Sequence, residues 1–418
     1  MPIANADTLP HVLLALVTII IAGRGLGAIF KRMGQPRVIG EVVAGIMLGP
    51  SLLGRISPEA MTWILPSSVA PFLGLIAQLG VILYMFLVGL ELNADLLRSR
   101  VRTTLVISQA SIVAPFLLGV ALSLWLHPRM APDGVPFTSF ALFMGVAMSI
   151  TAFPVLARIL TDRGIERTEL GVVALSCAAV GDVTAWCLLA FVVGVAQSKV
   201  SGALTTAVLT VGYIAVMFGA VRPLIARRMA VLDEARVTSS VIAWVLIALL
   251  LSALITEVIG IHAIFGAFLW GAVIPHDSAV TRLLERKLDD VVTILLLPAF
   301  FAYTGMRTQI GLVSGMTEWL ICGLIIVVAT LGKFGGTAIA ARLTGLNWRS
   351  ANSLGILMNT RGLMELIVLD IGLNLGVISP TLFAMMVLMA LLTTVATTPI
   401  LQWLNPDSSM PSGPPKLS

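Results

Sequence analysis

Apolar runs of about 20 residues recur from one end of this chain to the other, and that length is what a helix needs to cross a bilayer. Hydrophobic residues make up 58% of its 418 positions and charged residues only 11%, against roughly a quarter charged in an ordinary soluble domain. A water-exposed surface cannot be built from so few charges. We therefore expect an all-α polytopic membrane protein.

Pro, Gly and charge clusters divide the chain into about thirteen predicted membrane helices. Their predicted bounds are 11–30, 38–53, 70–92, 103–126, 138–160, 170–196, 203–226, 237–257, 261–275, 290–308, 318–342, 350–373 and 379–400. Residues 1–404 are predicted to form a single transmembrane domain, and 405–418 a short disordered cytoplasmic tail. The early apolar run lacks the positive region of a secretory signal, so we interpret it as a mature helix.

The positions of Lys and Arg predict an outside N-terminus and a cytoplasmic C-terminus, because short basic loops stay in the cytoplasm. With this orientation the outer side carries only Arg55, Arg129, Lys199 and Arg307. The net charge of +5 follows from this topology and calls for no nucleic-acid partner. The cysteines lie in apolar runs with neither a disulfide framework nor a metal-ligand spacing; they are Cys177, Cys187 and Cys322.

Two pairs of similar segments predict an internal repeat. GEVVAGIMLG from Gly40 resembles IHAIFGAFLWG from Ile261, and FLVGLELN at 86–93 resembles AYTGMRTQ at 302–309. The second and ninth helices would cross the membrane in opposite directions. Five-helix inverted repeats are therefore predicted, a common plan of transporters.

Charged residues at membrane depth mark functional sites because each costs several kcal/mol in a lipid environment. Those at or near this depth are Arg24, Glu41, Glu91, Asp182, Glu257, Lys333, Arg361, Glu365 and Asp370. Most of those near a helix end can reach water, which is the simpler explanation for Arg24, Glu91, Glu257 and Asp370. Asp182 lies near the middle of its helix, and we interpret it as a carrier of a proton or a cation; the alternative is an interhelical hydrogen bond.

Two helices carry internal breaks at corresponding places in the two halves of the chain. Pro154 interrupts SITAFPVLARIL and frees carbonyls near Thr151. In the twelfth helix the polar stretch comprises Asn359, Thr360, Arg361 and Gly362. Irregular backbone at this depth must be buried in protein or line a cavity, and paired breaks point to the binding site. A proline kink beside an unrelated polar patch is the alternative.

Three further charges are predicted to support this site. Arg361 can neutralise the negative ends of broken helices, with Glu365 one turn along the same face as its partner. For Lys333 we expect an intramembrane carboxylate as partner, and Asp182 is the most central one. The alternative is that Lys333 bonds a helix-end carbonyl.

The phrases that contain these residues resemble the monovalent cation:proton antiporter superfamily, in its second branch. They are QPRVIGEVVAGIMLGPSLLG at 35–54, LGVILYMFLVGLELN at 79–93, SITAFPVLARIL at 149–160, GIHAIFGAFLWG at 260–271 and LMNTRGLMELIVL at 357–369. The resemblance covers roughly residues 11–404. It implies a homodimer in which a six-helix core moves against a dimerisation domain, with two broken helices crossing near the midplane.

The same resemblance implies the site residues. The ion-binding carboxylate falls on Asp182, the polar residue of the first break on Thr151, and the basic residue beside the acidic site on Lys333. Electrogenic members have two successive aspartates and many electroneutral members have Asn-Asp, whereas this chain has Gly181 before Asp182. One-for-one exchange is therefore the expectation.

The predicted function is antiport of Na+ or K+ against protons by alternating access, without a cofactor, in a bacterial inner membrane. An organic-anion symporter with related broken helices is the alternative among transporters. An intramembrane aspartyl protease is the alternative among enzymes, but Ala179 stands two residues before Gly181 where that motif has glycine. A cation channel would need a filter-like string, which is absent from the sequence.

Overall fold

A computed structural model describes residues 8–91, 101–166, 168–197, 200–229 and 238–404, and all regular structure in these segments is helical. The predicted tail at 405–418 lies outside the described residues, as do several basic loop residues used for the orientation. The helices follow the apolar runs because a helix satisfies all of its backbone hydrogen bonds internally, which lipid requires.

We number the helices so that the two broken ones carry halves a and b. They are α1 Thr8–Arg32, α2 Arg37–Leu48, α3 Ala70–Leu90, α4 Val101–Met130, α5a Phe137–Ser149, α5b Phe153–Asp162, α6 Glu169–Gln197, α7 Val208–Met229, α8 Ser239–Ile259, α9 Ala263–Val273, α10 Ala279–Leu312, α11 Gly315–Leu343, α12a Trp348–Met358, α12b Leu363–Asn374 and α13 Pro380–Leu404. Short helices at Leu53–Ile56 and Pro58–Ile64 connect α2 to α3. The segment Val200–Val216 is helical and continues into α7.

Eleven helices in the described segments are long and apolar enough to cross a membrane. The helix α9 is apolar but shorter, and neither half of α12 is long enough to span alone. The structure therefore supports a polytopic all-helical membrane protein, and the number thirteen stays a prediction.

Both predicted breaks are present. Three non-helical residues separate α5a from α5b, and Pro154 lies in the first turn of α5b, where its missing N–H costs nothing. The chain leaves helical geometry again between α12a and α12b, where Gly362 has φ of 151°. That conformation is open to glycine because it has no side chain.

The helices form two bodies, defined by which backbones pack most closely. The scaffold body contains α1, α2, α3, α8, α9 and α10, and the core body contains α4, α5, α6, α11, α12 and α13, while α7 with the helical segment before it contacts α6 as well as α8 and α9. Both broken helices lie in the core body. The six-helix core implied by the resemblance is therefore recognisable in the packing.

Glycines allow the closest helix crossings in the scaffold body. A Cβ on Gly305 of α10 would lie 2.1 Å from the backbone of Gly45 in α2. A Cβ on Gly89 of α3 would lie 2.2 Å from the carbonyl oxygen of Phe268 in α9. In the predicted inverted repeat α2 corresponds to α9, and α3 corresponds to α10. The contact between α2 and α10 therefore corresponds to the contact between α9 and α3, as an inverted repeat requires.

Candidate functional site

The two breaks meet and hydrogen-bond to each other. The backbone N–H of Ala152 donates to the carbonyl of Thr360 at 3.0 Å. The Thr151 hydroxyl donates to the carbonyl of Met358, also at 3.0 Å. Backbone groups that neither helix can satisfy internally are therefore satisfied by the opposite break, which is the condition for irregular backbone at membrane depth.

Arg361 binds the carbonyl end of the half-helix α5a. Its side chain is fully buried, and its guanidinium donates to the carbonyls of Ala147 at 3.0 Å and Met148 at 2.7 Å. It also forms a 3.1 Å ion pair with Glu365, one turn later in α12b, and both side chains have no exposed surface. A cation is stabilised here because the last carbonyls of a helix carry partial negative charge.

Lys333 binds the next carbonyl of the same half-helix end. Its ammonium, buried within a π-helical turn of α11, donates to the carbonyl of Ser149. This is the helix-end contact considered as the alternative for Lys333, and it replaces the expected direct pairing with a carboxylate. Asp182 nevertheless lies within the electrostatic field of the Lys333 ammonium.

Asp182 lies in α6 and is 2% exposed. Its Oδ2 atom is buried and makes no hydrogen bond with any residue in the described part of the chain. The neighbouring Gly181 leaves space, since a Cβ there would meet only the Ser108 hydroxyl, at 3.6 Å. A buried carboxylate oxygen with unused acceptor capacity is suited to taking a proton or coordinating a cation.

Polar oxygens at the second break are also buried without partners. Asn359 Oδ1 and Thr360 Oγ1 make no hydrogen bond within the residues described. The break itself is held by Thr394 of α13, whose hydroxyl accepts from the N–H of Arg361 and lies 2.7 Å from its carbonyl. The breaks therefore combine a fixed backbone with unused side-chain oxygens.

Sequence reasoning missed several contacts of this region. Thr394 gave no signal, because a threonine in an apolar helix usually bonds its own preceding turn. Ser149 gave none because its contact with Lys333 is made by its backbone carbonyl. The sequence also did not indicate the 2.7 Å ion pair of Asp370 with Arg307, in which the Asp370 side chain is 13% exposed. Arg24, Glu91 and Glu257 are exposed, as expected.

The arrangement of these side chains is suited to binding and releasing ions and not to making or breaking covalent bonds. One buried carboxylate lies in the field of a lysine that is held by a helix end, and no group of three or more metal-binding side chains occurs in the described segments. Asp182 can alternate between a proton and a cation with no covalent step.

Comparisons with known proteins find relatives over nearly the whole chain. The family described as "Sodium/hydrogen exchanger, transmembrane" matches residues 12–404. The chain is 43% identical to the Na(+)/H(+) antiporter NhaS4 of Synechocystis sp. over 405 residues, which cover 96% of this chain and 99% of that protein. It is 40% identical to Cation/H(+) antiporter 19 of Arabidopsis thaliana, covering 94% of this chain but only 49% of that protein.

A solved structure shares the fold. The sodium proton antiporter MjNhaP1 of Methanocaldococcus jannaschii matches with a TM-score of 0.68 at 14% identity, covering 94% of this chain and 96% of that one. At this identity the likeness concerns the fold alone. The fold of this chain is thus found in a known antiporter structure.

We predict that Arg361→Gln and Glu365→Gln each destabilise the protein strongly. Removing one partner of a buried ion pair leaves the other charge uncompensated, at a cost of about 3–5 kcal/mol. Thermal unfolding of detergent-purified protein measures the loss. The double variant should lose less than the sum of the two single losses.

Arg342→Gln is the matched control, because Arg342 is an exposed arginine at the end of α11. Its unfolding temperature should stay close to that of the parent protein. Strictly additive losses for Arg361→Gln and Glu365→Gln would show that the two side chains do not stabilise each other.

Proposed function

The chain belongs to the sodium/hydrogen exchanger family, and we propose that it exchanges Na+ or K+ for protons across a membrane by alternating access. The observation that carries this proposal is the buried carboxylate oxygen of Asp182, which has no hydrogen-bond partner among the described residues and lies in α6, a helix that packs against α5a, α5b and α12a. The family is one of transporters and not of enzymes, and nothing in the comparisons supports the alternative of an organic-anion symporter or an aspartyl protease.

In the proposed mechanism a proton and a cation compete for one site. Asp182 binds either of them, and Thr151 with the oxygens of Asn359 and Thr360 contributes further ligands for the cation. Lys333 favours the ionised carboxylate, because a nearby positive charge stabilises the charged form. A rigid-body movement of the core body then exposes the occupied site to each side in turn.

The supporting residues hold this site without binding the ion. Arg361 and Lys333 neutralise the carbonyl end of α5a, and Glu365 compensates Arg361. Pro154 and Gly362 allow the chain to leave helical geometry at the two breaks. This division of labour leaves Asp182 as the residue whose charge state changes during transport.

We further propose one-for-one exchange, because Gly181 supplies no second carboxylate. Residues 1–404 would act as one antiporter domain in a bacterial inner membrane, with the N-terminus outside and the C-terminus in the cytoplasm. Only 11% of the residues in the apolar stretch of α7 are buried within one chain, compared with 71% in that of α6. This exposure supports a homodimer formed through α7, and native mass spectrometry that finds only monomers in lipid nanodiscs would contradict it.

Our first functional prediction is that Asp182→Asn abolishes cation-driven proton movement while the protein stays folded. Asparagine keeps the shape of the side chain but can neither ionise nor release a proton near neutral pH. Lumenal pH in proteoliposomes is followed while Na+, K+, Li+ and choline are added in turn.

The matched control is Asp277→Asn, which removes an exposed carboxylate on a loop between α9 and α10. Its exchange rate should equal that of the parent protein. Parental exchange in folded Asp182→Asn would remove this carboxylate from the mechanism, and proton movement driven by choline alone would argue against selective antiport.

A second prediction concerns charge movement. Exchange by the parent protein should not respond to an imposed membrane potential, because one charge crossing the full potential would couple to about 2.3 kcal/mol per 100 mV. Gly181→Asp should introduce a dependence on voltage, and the structure has space for its Cβ beside Ser108. Exchange rates are measured at several potentials clamped with valinomycin and a K+ gradient.

Gly181→Asn is the control for this experiment, since it adds a side chain of similar size without a charge. It should remain insensitive to voltage. A strong response of the parent protein to the clamp would show that the one-for-one stoichiometry is wrong.

A further inference from the structure

Three polar side chains, which we call the triad, join the two bodies near the end of α10. They are Arg307, Asp370 and Asn374. Arg307 Nη1 donates to Asp370 Oδ1 at 2.7 Å and to Asn374 Oδ1 at 2.6 Å. Asn374 in turn donates to Asp370 Oδ2 at 3.0 Å. Arg307 belongs to the scaffold body and the other two residues to the core body, so the triad is a direct connection between parts that alternating access must move.

The backbone around Arg307 is fixed to the rest of the scaffold body. Two residues before it, Gly305 lies against Gly45 of α2 with no room for a Cβ. The carbonyl of the following residue, Thr308, accepts from the Ser51 hydroxyl at 2.5 Å, and that hydroxyl accepts from the N–H of Ile310 at 3.1 Å. Arg307 therefore cannot follow a movement of the core body without a movement of α2 as well.

Asp370 is fixed to the core body in the same way. It lies in α12b, which packs against α5a and α13. A Cβ on Gly372, two residues later, would lie 2.1 Å from the ring of Phe143 in α5a. Because α12b begins at the second break, Asp370 must move with the half-helices that carry the proposed site.

Beside the triad the two bodies enclose a cavity, although the end of α10 at Ile310–Leu312 packs against α13. The cavity, of about 330 Å³, lies between α12b and the scaffold helices α3, α8, α9 and α10, and Asp370 and Asn374 line it. The bodies also meet at Val42, in the middle of α2, which is 3% exposed and faces α12b and α13 across a gap of only about 10 Å³. Gln35, just before α2, donates to the carbonyl of Val395 in α13 at 3.1 Å.

The cavity approaches the second break. Ile367 lines it and lies five residues after Gly362, which corresponds to roughly 7.5 Å along the helix. Glu257 and His262 face Asp370 from the opposite wall. Of these three titratable groups, Asp370 is the one that is ion-paired to a residue of the other body.

We propose that Arg307, Asp370 and Asn374 form a gate of the exchanger, whose contacts hold the bodies in the arrangement seen here and must break when the core body moves. The proposal rests on the alternating-access exchange proposed above. Arg307 and Asp370 act as positioning residues that set the balance between the two arrangements and do not bind the transported ion.

The first test measures the minor arrangement without measuring transport. Val42→Cys is placed in a chain whose three native cysteines are replaced, and its reaction with a soluble maleimide is followed in detergent. A buried thiol between the bodies reacts only when the bodies separate at Val42. Arg307→Gln or Asp370→Asn should raise the rate about two- to fivefold, because losing a partly exposed ion pair favours the other arrangement by that factor.

Three controls separate gating from loss of structure. Arg129→Gln removes an arginine that hydrogen-bonds within its own helix, and it should leave the rate unchanged. Cys177, fully buried inside the core body, is retained alone in a parallel chain, where it should react no faster in the gate variants. The exchanged pair, Arg307→Asp with Asp370→Arg, should return the Val42→Cys rate toward that of the parent protein.

Unchanged labelling of Val42→Cys in both single variants would overturn the gate, and so would an equal rise at Cys177, which indicates unfolding. These outcomes do not depend on which ion is transported. If the parent protein shows no cation-driven proton movement, the exchange proposal fails, while the labelling result still decides whether the triad controls the arrangement of the bodies.

A second test links the gate to transport. Arg307→Cys and Asp370→Cys, combined in the same cysteine-replaced chain, are joined by a short bifunctional thiol reagent in proteoliposomes. Exchange should fall in proportion to the cross-linked fraction, because a tether between positions 307 and 370 prevents the core body from moving relative to the scaffold body. Parental exchange rates in fully cross-linked protein would contradict the gate, and the same reagent applied to either single cysteine variant is the control.

Discussion

Two buried, positively charged side chains bind the carbonyl end of the half-helix α5a in the interior of the helix bundle. Arg361 binds the carbonyls of Ala147 and Met148, and Lys333 binds that of Ser149. Without these contacts α5a would end among apolar side chains with unsatisfied carbonyls, which costs several kcal/mol per group. The interruption in α5, and with it the crossing with α12, depends on this neutralisation.

The same contacts explain why so many charges are tolerated at this depth. The carboxylate of Glu365 compensates the positive charge of Arg361, which lies four residues earlier. The positive charge of Lys333 is compensated by the carbonyl end of α5a and by the negative charge of Asp182. Within the described part of the chain Asp182 has no such dedicated partner, and its Oδ2 atom makes no hydrogen bond. The paired charges thus stabilise the structure, and the carboxylate of Asp182 is the one that takes part in the proposed transport cycle.

The helices of the scaffold body are held together by close backbone packing and not by buried charges. Its helices approach at glycines, where backbones touch and leave no freedom for adjustment. The core body meets it through a wide cavity beside the triad and a narrow apolar contact at Val42. A rigid scaffold beside a loosely joined core is what a rigid-body movement requires, since packed interfaces move between discrete arrangements and do not deform continuously.

The sequence by itself determined the membrane architecture, the two breaks, the central position of Asp182 and the pairing of Arg361 with Glu365. Each of these is a local signal: an apolar run of bilayer length, a proline or a polar stretch inside it, or a spacing of one helical turn. The contacts of Lys333 with Ser149, of Thr394 with Arg361 and of Arg307 with Asp370 join residues 184, 33 and 63 positions apart. Only the tertiary structure decided these contacts. The sequence allows each helix to present its polar side chain to several neighbouring helices, and the packing of the helices selects one of those neighbours.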